Sequence, residues 1–70
     1  MKLYGVYGPS GKLREVCLSS WDAKVAIFDY QNQEFREKYW HKAIPAWNAA
    51  KKLGWRIENG VFVGDGTFLK

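Results

Sequence analysis

Residues 40–63 read WHKAIPAWNAAKKLGWRIENGVFV, and the breaks within them set the architecture. Inside a helix, Pro45 would remove a backbone hydrogen bond and crowd the preceding turn, at a cost on the order of 3 kcal/mol. Ile44, the residue before it, is pushed away from helical angles. The spacing therefore predicts a break at Ala43 and Ile44, then a short helix over residues 45–53 with Pro45 in its first position. Ala46, Ala49, Ala50 and Leu53 make its packing face. Gly54 ends it as a left-handed cap, and Lys51 and Lys52 suit the negative end of the helix dipole. Two strand-forming runs follow, residues 55–58 and 61–63, around Asn59-Gly60, the residue pair preferred by a type I′ turn. A two-residue loop there sets Ile57 opposite Phe62 and puts Trp55, Ile57 and Phe62 on one face.

Upstream lies a second helical signal. Ser19 can cap, and Asp22 three residues on can reach back to it. Trp21, Val25, Phe28, Asn32, Phe35 and Tyr39 then recur at the spacing of one helix face. Asn32 interrupts that stripe within Gln31-Asn32-Gln33. One long helix, irregular near Asn32, is expected, and two helices joined there are the alternative.

The first residues return to a period of two. Leu3, Gly5 and Tyr7 share one face of a strand over residues 2–8, and Tyr4 and Val6 the other. Gly8-Pro9-Ser10-Gly11 suits a tight turn, with Gly11 free to take the positive φ of a bulge. A second antiparallel strand follows over residues 12–18. Residues 64–70 end the chain as a fraying tail or a short edge strand, with Gly64-Asp65-Gly66 as a plain turn. The expected fold is α+β, ββααββ: two hairpins forming an antiparallel sheet of about four strands, with a long and a short helix on one face.

Seventy residues with a formal charge of +4 support one domain, residues 1–70. Aromatics are 17% of the chain, and most are needed to give so small a core its density. One cysteine, Cys17, excludes an intrachain disulfide and a cysteine-rich zinc cluster. The opening KLYGVY alternates with glycine and forms no apolar run of signal-peptide type, and no stretch matches a membrane span. A cytoplasmic protein without a membrane partner is expected.

Catalytic patterns are absent from the sequence: there is no HExxH, no Gly-x-Ser-x-Gly and no phosphate loop. His41 and Cys17 sit where structure explains them, so no enzyme activity, catalytic residue, metal site or cofactor is expected. The stronger functional signal is aromatic and basic residues side by side. Lys38, Trp40, His41, Lys42, Lys51, Lys52 and Arg56 are the candidate binding residues, with Glu37 the one acid between Arg36 and Arg56. Trp47 and Trp55 are expected in the core. Trp40 lies one position off the helical stripe, where an exposed indole would call for a partner.

A strand-GPSG-strand hairpin before a helix and then AWNAAKKLGWRI resembles small accessory proteins encoded by tailed phages and prophages. That resemblance implies action by binding a host or phage machine in the host cytoplasm, and it assigns no site residue. The reading favoured by the residues is a non-enzymatic module that docks the Trp40 and Lys42 surface on an acidic protein, such as a host nucleic-acid-processing or defence complex. Direct nucleic-acid binding through the same patch is the alternative, and a homodimer is a further use of the exposed surface.

Overall fold

A computed structural model describes residues 2–64 and 66–70. Its elements are β1 (Leu3–Tyr7), β2 (Leu13–Cys17), α1 (Ser20–Asp29), α2 (Gln33–Lys38), α3 (Ala43–Lys52), β3 (Arg56–Phe62) and β4 (Phe68–Leu69). The class is α+β, as expected, with a four-stranded antiparallel sheet in the order β2-β1-β3-β4. The order is ββαααββ, with three helices instead of two.

The first hairpin closes as its turn residues dictate. The Gly11 N–H donates to the Gly8 carbonyl at 2.9 Å, and Gly11 takes φ 85°. Ser19 caps α1, its Oγ accepting from the Asp22 N–H at 3.0 Å. The expected long helix is divided at Gln31 and Asn32. Gln31 Nε2 donates to the Ile27 carbonyl at 2.8 Å and closes α1. Asn32 Oδ1 accepts from the Phe35 N–H at 2.8 Å and opens α2. Two adjacent amide side chains thus satisfy backbone groups that a continuous helix would have used internally, and the chain turns between them.

The next helix starts earlier than Pro45 suggests. α3 begins at Ala43, so Pro45 falls within its first turn, where its missing N–H has no intrahelical acceptor to lose. The break lies instead at His41, with φ 60°, the one non-glycine of positive φ among the described residues. At the far end Gly54 takes φ 105°, its N–H donating to the Lys51 carbonyl and the Trp55 N–H to that of Ala50. This is the predicted left-handed cap in its two-bond form.

Asn59-Gly60 does not turn. β3 runs straight through it, with Asn59 opposite Tyr4 and Gly60 opposite Leu3 on β1. The ladder along β1 holds both residues extended and overrides their local preference. The chain reverses four residues later, where the Val63 N–H bonds the Thr67 carbonyl and Gly66 takes φ 87°. Asp65, expected in that turn, lies outside the described residues. Strand alternation then puts Phe62 on the face opposite Ile57, half-exposed and edge-on to Phe68 at 5.7 Å. Residues 68–69 form the edge strand anticipated for the tail.

Helices cover one face of the sheet. Val6, Cys17, Ala23, Ile27, Ala50 and Trp55 form the core there, with Tyr4, Phe35, Trp47 and Ile57 against it. Trp55 also stacks on Tyr30 at 5.4 Å. Ala46 and Ala50 are buried as expected, whereas Leu53 is exposed because it follows the last helical residue. On the helix-free face Phe68 covers Gly5 and Gly60, and a Cβ at Gly60 would meet Phe68 Cζ at 2.6 Å as well as the Leu69 carbonyl. Gly60→Ala is therefore expected to destabilise the fold by about 1–3 kcal/mol. Gly64→Ala, with open space around it, should stay within about 0.5 kcal/mol. Urea unfolding of the two variants checks the pair; equal effects would contradict the register of β3.

Candidate binding groove

The stripe Trp21, Val25, Phe28 does not face the sheet. Laying α1 against β1 and β2 turns Ala23 and Ile27 inward, and the larger side chains of the stripe are left to the side. There they form one wall of an open groove of about 290 Å³. Phe35, Tyr39 and Trp40 form its end, from α2 and the segment after it, and Ala43, Ala46 and Trp47 of α3 form the opposite wall. Alanines on α3 leave the space that the aromatic rings border.

Ring contacts fix the walls. Phe28 meets Phe35 edge-on at 6.4 Å and Trp40 at 6.2 Å, and Phe35 lies 4.7 Å from Tyr39. His41 stands edge-on to Trp40 at 4.9 Å. Even so, Trp40 is 61% exposed and Trp21 59%. Between Trp40 and α2 lies a second, shallower depression with Gln33, Arg36 and Glu37.

Charge at the groove is of one sign. Lys24 and Lys42 line it, and no Asp or Glu is among its lining residues, as far as the described residues go. The Lys24 and Lys51 ammonium groups lie 5.9 Å and 5.5 Å from the Trp47 ring.

Of the candidate residues from the sequence, Trp40, His41 and Lys42 come together as groove lining. Lys51 reaches its edge through Trp47, and Lys52 is exposed in the last turn of α3. Lys38 lies over the ring of Tyr39 at 5.4 Å. Arg56 belongs elsewhere. It pairs with Tyr7 across β1 and β3, sits over that ring at 5.5 Å on the helix-free face, and bridges Glu58 at 3.4 Å. The sequence reading missed Trp21, Lys24, Val25 and Phe28 as site residues. The helical spacing of Trp21, Val25 and Phe28 marks them as one face without saying what that face meets, and Lys24 carries no such signal.

Comparison with profiles of known families, with curated proteins and with solved structures finds no match to this chain. Among the described residues, no cluster of three or more His, Cys, Asp or Glu is placed to hold a metal, and no helix is long and apolar enough to cross a membrane. Cys17 ends β2 inside the hydrophobic core, whereas His41 is exposed in the loop before α3. Burial first, and then the Glu15 carboxylate that accepts from its thiol at 3.5 Å, push its pKa from 9.0 up to about 11. The buried thiol is thus a neutral core group and no nucleophile at neutral pH.

That shift has a sign. The stabilisation tied to the protonated thiol is fully present below pH 9.0, the ordinary value, and is lost as pH rises to about 11, because the unfolded chain ionises first. Between about pH 8 and pH 11 the urea midpoint should fall more steeply for the native chain than for Cys17→Ala, which isolates the thiol from the tyrosines that titrate in the same range. Parallel slopes would contradict the burial of Cys17.

Proposed function

We propose that this chain is a non-enzymatic protein-binding module whose groove between α1 and α3 receives apolar side chains from an acidic partner surface. The observation that carries this reading is Trp40: an indole 61% exposed, at the end of an apolar groove whose charged lining groups, Lys24 and Lys42, are both basic. Solvent-exposed tryptophan beside a well-formed pocket is the residue type on which protein interfaces concentrate their binding energy. Nucleic-acid binding is less well supported, since a phosphate track needs cations along one surface and Arg56 lies on the opposite face, paired with Glu58. The accessory role implied by the resemblance to small phage proteins fits such a module, as a modulator of a host nucleic-acid-processing or defence machine.

A photo-crosslinking residue at Ile44, 75% exposed and next to Ala43 at the groove, tests the reading in cells that express the chain. The expected result is a discrete protein adduct that survives nuclease, is absent when the crosslinker stands at Lys12, and is lost with Trp40→Ala. Loss of the tryptophan should cost on the order of 2 kcal/mol, about thirtyfold in affinity. No adduct, a nuclease-sensitive one, or equal adducts at positions 44 and 12 would overturn the proposal.

A further inference from the structure

The shape of the groove narrows what can fill it. Its α1 wall runs from Trp21 through Val25 to Phe28, seven residues or about 10 Å along a helix axis. Apolar residues at positions i, i+3 or i+4, and i+7 of a second helix span the same distance, and such a triad is the usual anchor set for a helix laid in a groove. The opposite wall sets the small Ala43 and Ala46 beside Trp47, and the two alanines leave room for a backbone of helical width between the aromatic rings.

Charge narrows it further. Lys24 and Lys42 lie at the lining, with no acid lining the groove among the described residues. A second copy of this chain, related by a two-fold axis through the groove, would set the same basic lining against itself, with no acid among the described lining residues to face it. An occupant carrying Asp or Glu beside its apolar stripe would instead place an anion opposite each one.

We infer that the groove between α1 and α3 seats a single acidic amphipathic helix from another protein, with an apolar i, i+3/i+4, i+7 stripe against Trp21, Phe28 and Trp40 and carboxylates directed to Lys24 and Lys42. This rests on the groove being a protein-binding seat and specifies the occupant.

Selection from a display library of random peptides about four helical turns long, with the intact chain as bait, tests it. The expected winners carry a net negative charge and the i, i+3/i+4, i+7 apolar spacing. The best of them, fluorescently labelled, should lose about tenfold in affinity by anisotropy against Lys24→Glu/Lys42→Glu and about thirtyfold against Trp40→Ala. Lys42 is exposed and Lys24 is half-buried beside Trp47, with neither in the core cluster, so retained helical circular dichroism is the control for folding, and Lys24→Gln/Lys42→Gln serves as the milder variant with an intermediate loss. Winners that are basic or uncharged, that alternate with a period of two, or that bind the charge-reversed variant equally well would overturn the inference, as would no enrichment at all. If the nuclease-resistant adduct at Ile44 persists in that case, the binding module stands and the helical occupant falls; if both are lost, the module falls as well.

Discussion

The pairing of β1 with β3 is the constraint on which the remaining structure depends. It fixes Val6 opposite Ile57 on the helix side and Tyr7 opposite Arg56 on the other. A slip of one residue would exchange these faces and send Arg56 toward the core. The same register carries β3 straight through Asn59-Gly60 and delivers Trp55, at the strand entrance, beneath the helices, where it stacks on Tyr30. On the reverse face it brings Gly5 and Gly60 under the ring of Phe68, so a two-residue edge strand covers much of what the helices leave open. The two glycines serve here by the Cβ they lack, since neither takes a positive φ.

A core this thin dictates how α1 can lie. The largest fully buried side chains are Ile27 and Val6, and α1 touches the sheet through Ala23 and Ile27. Placing Trp21 and Phe28 in that narrow space would lift the helix from the sheet, so they stand aside and border the groove. The consequence is apolar surface that folding does not cover. An indole such as Trp40, more than half exposed, forgoes roughly 3 kcal/mol of burial, taking about 25 cal/mol per Å² over something over 100 Å². That is a large share of the ~5 kcal/mol expected at the lower end for a small domain.

Local chemistry was legible in the sequence wherever no distant strand competed with it. Ser19, Gly11 and Gly54 each do what their residue type predicts, because caps and tight turns are satisfied by neighbours in the chain. Asn59-Gly60 misleads for the opposite reason: its turn preference is real, but the strand it pairs with begins at Leu3, more than fifty residues away. Pro45 misleads more mildly, since the first turn of a helix tolerates it as well as the first position. For the groove, the sequence indicated Trp40, His41 and Lys42 through their crowding of aromatic and basic types. It could not indicate that the Trp21 to Phe28 stripe would join them, because helical spacing identifies a shared face without saying what that face meets.

His41 connects these observations. Its left-handed backbone, at φ 60°, costs a non-glycine residue about 1–2 kcal/mol and turns the chain from α2 into α3. Glycine would reach a positive φ without that strain, as Gly54 does at 105°. A glycine, however, would lack the imidazole that stands edge-on to Trp40, while Phe28 meets the indole from α1. The strained residue thus does two things that glycine could not combine: it sets the angle between the helices and braces the exposed ring at the end of the groove. A ring held between two neighbours has less side-chain freedom to lose when a partner covers it, so the cost of ordering it falls within folding rather than within binding.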